Sequence, residues 1–253
     1  MAQMKTPGVY IIEKNAFPNS VVEVATAIPA FIGHTQFARD GNKDLTGIPF
    51  RISSMAEFHS FFGFAPSLRF GSRPEHSESE DTTNDINVLF PDGSCQLTLP
   101  KTFYALYYNM LLFYANGGGP CYIVSVGDYE HDFKSIDFTN ALLALKKEQE
   151  PTLVVVPEAV YMEEGDCYKV QTAALMHCGN DMKNRFAILD VFNGYKDENG
   201  AVIKSFRENI GSNFLAYCAS YYPWINTSIV TEKDITFYNI EKVMSMVLVN
   251  YKN

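Results

Sequence analysis

The chain has 253 residues, of which 47% are apolar, 14% are aromatic and only 19% are charged. This length fits one large domain or two small ones, and with so little charge much of the aromatic surface has to be hidden in a core or against partners. The net charge of −9 excludes a generally basic protein that binds nucleic acid through its phosphates.

A β-rich segment near the start of the chain stands apart from the rest of the sequence. A Pro-Gly turn signal precedes it, and Asn15, Pro18 and Asn19 bound it. We interpret residues 1–19 as an extended N-terminal arm and residues 20–253 as one α/β domain; an edge strand of the chain's own domain is the alternative for this segment. The arm segment comprises Thr6, Pro7, Gly8, Val9, Tyr10, Ile11, Ile12 and Glu13.

The first part of the domain combines two strands, a helix and a polar insert. Residues 21–24 and 27–33 predict strands, and residues 54–62 predict a helix with a serine cap, Glu57 in place for a capping box, and a terminal glycine. Residues 72–85 carry no aliphatic or aromatic side chain and five acids against one arginine, which predicts a solvated loop inside a polar, acidic insert near residues 64–99.

A long helix is predicted over residues 101–115. Its apolar side chains fall at helical spacing and cover nearly the whole circumference, which is typical of a helix buried on most sides. The same stretch contains the longest apolar run, residues 103–115, which is too short to cross a bilayer. A structural turn ends the helix at Asn116, Gly117, Gly118 and Gly119.

Strands and helices then alternate to the end of the domain, which predicts βαβ units. The fold class is therefore α/β, with a mainly parallel or mixed sheet flanked by helices. Strands are predicted at 121–126, 152–157, 185–191 and 215–222, and helices near 138–147, 166–178 (ending at Gly179) and 204–209.

The glycine turn after residue 115 does not predict a phosphate-binding loop. A phosphate loop needs the order strand, glycines, helix, so that the anion meets a helix N-terminus. Here the glycines follow a helix and precede a strand, and they therefore lie at the negative end of the helix dipole.

No other motif predicts catalysis, a metal or a cofactor. Asp190 ends a predicted central strand, where open α/β sheets bind ligands, but without a motif partner it favours a capping or turn role. His177 and Cys178 are adjacent helical residues and point about 100° apart, which favours packing and complementarity to the helix dipole over a nucleophile pair.

The cysteines predict free thiols. They are odd in number, widely spaced and without a C-x-x-C pair, so buried thiols are favoured over disulfides or a metal site. The N-terminus also lacks the apolar region of a signal peptide, which predicts synthesis and retention in the cytoplasm unless a different route exports the protein. The five are Cys95, Cys121, Cys167, Cys178 and Cys218.

An ordered set of phrases resembles the sheath proteins of contractile phage tails and of related extracellular injection particles. It begins with residues 6–11, SVVEVATAIPAFIGHT at 20–35, SMAEF at 54–58 and FFG at 61–63. It continues with YANGGGPCYIV at 114–124 and the pair His177-Cys178, and it ends with RFAILD at 185–190 and YYPW at 221–224. The motif residues of the core are Arg185, Phe186, Asp190, Tyr222, Pro223 and Trp224.

This resemblance implies a structural subunit without an active site or a cofactor. Sheath subunits form rings around an inner tube in a metastable extended state, and their contraction drives the tube through a target envelope. The implied partners are further copies of the chain, the tube, and baseplate and cap proteins, with no nucleic acid and no direct membrane insertion. Assembly is expected in a bacterial cytoplasm, and the arm is expected to pair with a neighbouring subunit's sheet.

The sequence departs from the family after YYPW, because the C-terminal region that sheath proteins usually carry there is not found. A truncated or divergent sheath subunit, a cap or collar component with the same fold, and an α/β ligand-binding protein therefore remain as alternative hypotheses.

Overall fold

The structure, a computed structural model, describes residues 27–74, 86–90, 93–98, 102–196, 200–231, 234 and 236–239. The predicted arm and the predicted strand at 21–24 lie outside the described residues. The strands are β1 Pro29–Gly33, β2 Arg39–Asp40, β3 Lys43–Asp44, β4 Phe50–Ile52, β5 Gly71–Pro74, β6 Ile86–Phe90, β7 Gly93–Thr98, β8 Cys121–Ser125, β9 Leu153–Val155, β10 Phe186–Asp190 and β11 Cys218–Tyr221. The α-helices are α1 Met55–Phe62, α2 Leu106–Ala115, α3 Ser135–Leu145, α4 Glu164–Met176 and α5 Ala201–Ile210.

The chain has an α/β fold around a six-stranded mixed sheet. The strand order is β11-β10-β9-β1-β8-β4, and all neighbours are parallel except β4, which runs antiparallel to β8. Helices α1 and α2 pack on one face of this sheet, and helices α3, α4 and α5 pack on the other. The predicted fold class is therefore confirmed.

Local signals set the bounds of helix α1. The Ser54 hydroxyl accepts a hydrogen bond from the Glu57 N–H, and the Glu57 carboxylate accepts one from the Ser53 N–H. Gly63 ends the helix with φ 87°, a conformation that favours glycine. The prediction for this helix is confirmed.

Helix α2 begins later than predicted and is covered on fewer sides. It starts at Leu106, and residues 102–105 precede it without helical structure. Leu112 is 37% exposed. Its neighbours Tyr108, Leu111, Phe113 and Tyr114 are only half-buried. The apolar circumference therefore exceeds what the described part of the chain covers.

The acidic insert contains a second sheet. Strands β5, β7 and β6 pair antiparallel in that order, so Ser72, Arg73 and Pro74 belong to a strand rather than to the predicted loop. Backbone groups can form a ladder without apolar side chains, and the lack of such side chains was therefore misleading here. Residues 75–85 lie outside the described residues.

The predicted final strand and last helix are also corrected. Residues 215–217 form a 3₁₀ turn, and only Cys218–Tyr221 pair with β10. Helix α5 is longer than predicted and covers Ala201–Ile210, burying Val202, Phe206 and Ile210 against the sheet. The thiols of Cys121, Cys167, Cys178 and Cys218 are free, as predicted.

Candidate functional site at the carboxyl edge of the sheet

Five parallel strands end at one edge of the main sheet. Strand β1 lies between β8 and β9. Helices α1 and α2, which connect β1 to β8, pack on one face of the sheet, and α3, which connects β8 to β9, packs on the other. Open α/β sheets bind ligands where neighbouring connections diverge in this way. The candidate crevice therefore lies beyond the ends of β1 and β9, at His34 and Glu158.

The side chain of Glu158 fills this crevice. Its Oε2 accepts the His34 backbone N–H at 2.9 Å and lies 2.8 Å from His34 Nδ1. Its Oε1 accepts the Leu106 backbone N–H at 3.3 Å. Glu158 is 0% and His34 1% exposed, so the crevice is closed to solvent.

The carboxyl group of Glu158 also caps helix α2. Leu106 is the first residue of that helix, and the preceding Ala105 offers no side-chain cap. The N-terminus of a helix presents free N–H groups and a partial positive charge, which favour an anion. Gly33 permits this approach, because a Cβ there would lie 2.9 Å from Leu106 Cβ and 3.1 Å from the Glu158 carboxyl carbon.

Burial and hydrogen bonding act on Glu158 in opposite directions. Burial raises the pKa of its carboxyl group, while the bonds from His34 and Leu106 favour the ionised form. The rings of Tyr104, Phe133 and Phe138 surround the His34 imidazole at centroid distances of 5.0–5.7 Å. Through these contacts His34 and Glu158 link β1, β9 and the start of α2.

The sequence analysis missed this network. His34 lies within the sheath-like phrase at residues 20–35, but nothing in that phrase marks it as functional; Glu158 lies in no phrase, and the two residues are separated by 124 positions. The available signal was positional: His34 directly follows β1, Glu158 follows β9 by three residues, and both strands end at the same edge of the sheet.

The outer part of the edge carries Asp190 and Trp224. Trp224 donates its indole N–H to the Val191 carbonyl at 2.9 Å, and its ring lies 5.8 Å from that of Tyr161 and 5.3 Å from that of Tyr195. Asp190 is exposed at the rim, yet the surrounding protein removes part of its hydration and raises the pKa of its carboxyl group. Among the described residues its carboxylate has no hydrogen bond, which contradicts the predicted capping or turn role.

Arg185 lies directly before the start of β10, at the end of the strand opposite Asp190. It is 2% exposed, and its guanidinium donates to the carbonyls of Leu145 and Glu148 at the end of α3 and to His177 Nε2 at 2.9 Å. Burial and the Arg185 charge lower the pKa of His177 to about 4. His177 is therefore neutral at pH 7, and the prediction that it complements a helix dipole by its charge is wrong.

The segment around His177 also ends differently from the prediction. The helix does not stop at Gly179 but continues as a π-helical turn through His177–Met182, and Lys183 ends it with φ 59°. Burial raises the pKa of the Cys178 thiol to about 12, so it is not a thiolate nucleophile.

The motif residues of the core fall into two groups. Asp190, Tyr222, Pro223 and Trp224 lie at the carboxyl edge, where the Tyr222–Pro223 peptide bond is cis. Arg185 and the half-buried Phe186 lie at the opposite end of β10. The structure therefore brings four of the six together and separates the other two.

The predicted turn after α2 is confirmed. Gly117 has φ 83° and donates to the Tyr114 carbonyl, while Gly118 donates to the Phe113 carbonyl at 2.9 Å. A Cβ on Gly118 would lie 2.6 Å from the Phe113 ring, so the turn needs glycine there. The arm segment, residues 6–13, lies outside the described residues.

One half of the sheet is incompletely covered. The register places Val155, Ile188 and Ala219 side by side on the face that α2 covers at Phe31, and all three are only half-buried. In the described part of the chain, β11 is the edge strand of this half of the sheet. An open edge beside an apolar face can accept a strand from a partner.

No three His, Cys, Asp or Glu side chains among the described residues form a group that could hold a metal. Across the same parts of the chain, every helix is too short or too polar to cross a membrane.

These features define an α/β protein whose sheet-edge crevice is filled by its own side chains. A scan against models of protein families finds no match. A search of curated proteins also finds no relative.

Proposed function

We propose that the chain is a structural, non-enzymatic subunit of the contractile sheath around the tube of a phage tail or a phage-tail-like injection particle. The observation that carries this proposal is the edge of β11, with which no further described strand pairs, beside the half-buried face at Val155, Ile188 and Ala219. Parallel sheets are normally covered on both faces, and the described residues leave this face of the half without a helix, which makes it a candidate surface for a partner. The ordered sheath-like phrases favour further copies of the chain as that partner.

The filled crevice supports a structural role. Glu158 occupies the place where a sheet of this order would bind a ligand, and its network ties two strands to a helix. A subunit that moves as a rigid body during contraction needs such a crosslinked core.

The free edge of β11 can be assigned residue by residue. The Tyr221 carbonyl accepts the Val191 N–H and so points toward β10. Because backbone groups alternate in direction along a strand, the N–H and C=O of Cys218 and Ser220 point away from β10. A donated strand that bonds to them gains about 0.5–1.5 kcal/mol per hydrogen bond, which is weak for one link and strong over a polymer.

The decisive experiment is negative-stain microscopy of the complete set of particle proteins. Striated tubes that contain this chain along their length are expected with the wild type. Particles that assemble and contract normally without it would refute the proposal, and labelling at one end alone would favour a cap or collar.

A Ser220→Pro variant tests the edge. Proline removes the outward N–H but leaves the ladder with β10 intact, so we expect a normally folded subunit that fails to form tubes. Ser220→Thr, which keeps the N–H, is the matched control and should assemble.

A further inference from the structure

We infer that the crevice between β1 and β9 is a carboxylate-binding site that Glu158 fills as an internal ligand. Three donors converge there: the backbone N–H groups of His34 and Leu106 and the His34 imidazole. Two of these donors are backbone groups and the third is a side chain 1% exposed, so the site is rigid and buried.

The chemistry of the site selects a carboxylate. Both backbone N–H groups can only donate, and they reach different oxygens of one planar group, Oε2 at 2.9 Å and Oε1 at 3.3 Å. Leu106 adds the positive end of a ten-residue helix.

The shape of the site also fits a small ligand. Gly33 forms one wall, and a Cβ there would lie 3.1 Å from Glu158 Cδ and from Oε1. Gly33 therefore lies within contact distance of the carboxyl group itself. Replacement of Glu158 by alanine would leave a space of the size of formate or acetate.

Chemical rescue tests this inference. Glu158→Ala leaves three buried donors without an acceptor, and we expect a loss of melting temperature on the order of 10 °C. Sodium formate or acetate should restore at least half of that loss in a saturable manner, while sodium chloride at the same ionic strength should not. Formate should leave the wild type unchanged.

Two further variants keep the test decisive. Glu150→Ala removes an exposed carboxylate that accepts from Tyr122 and Arg51, and it should show no formate-specific effect. Glu158→Gln fills the space with a neutral amide, and it should be destabilised without rescue.

If Glu158→Ala does not fold, refolding on addition of formate, followed by far-UV circular dichroism, is the same measurement. No formate-dependent gain in either form overturns the inference. Wild-type stability of Glu158→Gln also overturns it, because the site would then not select a carboxylate.

Discussion

The two halves of the main sheet are covered to very different degrees. Strands β1 and β8 are buried along their whole length. Strands β9 and β10 alternate between buried and half-buried residues up to the exposed Asp190, and β11 has no buried residue. Helices α1 and α2 close the first half, and among the described residues no helix lies on the same face of the second. A single sheet thus combines a fully buried half with a half that the described residues cover on one face only.

Removing the arm should have the largest effect on this contrast. Deletion of residues 1–19 is expected to leave a folded domain and to abolish lateral assembly, because we propose that this segment is the strand donated to the β11 edge of a neighbouring subunit. Circular dichroism measures the fold and negative-stain microscopy the assembly. Tubes formed by the deleted chain would show that the open half is not completed by the arm.

A pair of isoleucines on the same face measures the contrast directly. Ile123 in β8 is 0% exposed and Ile188 in β10 is half-buried. Ile123→Ala should cost about 2–5 kcal/mol of unfolding free energy in the monomer, and Ile188→Ala roughly half as much. Urea denaturation of both variants measures the two losses of unfolding free energy. Equal losses would mean that the second half is already as well covered as the first.

Acid should lower the stability of the folded protein through His177. The pKa of this side chain is lowered from its ordinary 6.5 to about 4, so between these values the unfolded chain binds more protons and stability is lost as the pH falls. The full shift corresponds to about 3 kcal/mol. His177→Gln should reduce the drop in melting temperature between pH 7 and pH 4.5. An identical drop would place the acid sensitivity in other groups.

The smallest effect is expected at the rim of the closed half. The Arg51 Nε and the Glu150 carboxylate lie 3.1 Å apart, and their side chains are 44% and 40% exposed. Exposed pairs contribute about 0–1 kcal/mol, so Arg51→Ala should change urea stability by no more than that. A larger loss would show that charge as well as burial holds this half together.

The sequence predicted those parts of the fold whose signals are local. Helix α1 has its cap, its capping box and its terminal glycine within residues 53–63, and its bounds were predicted correctly. The start of α2 was wrong by five residues because its capping group, Glu158, lies 52 positions away from Leu106. A cap supplied by a distant residue leaves no trace in the residues around the helix.

The site was harder to predict than the fold. Burial and pairing, rather than residue type, make His34 and Glu158 a unit, and these properties exist only after β1 and β9 pair. Asp190 shows the reverse case, because its position at a strand end suggested a local hydrogen bond that the described contacts do not contain.

The distant cap of α2 has a consequence for the order of folding during synthesis. Helix α2 is complete when residue 115 leaves the ribosome, but the group that satisfies its first N–H emerges 43 residues later, with Glu158. Until then the β1–α2–β8 unit carries an uncapped helix end and an unfilled crevice, and its two backbone donors depend on water. The first half of the domain therefore matures only when the second half arrives, which ties the two halves together in time as well as in space.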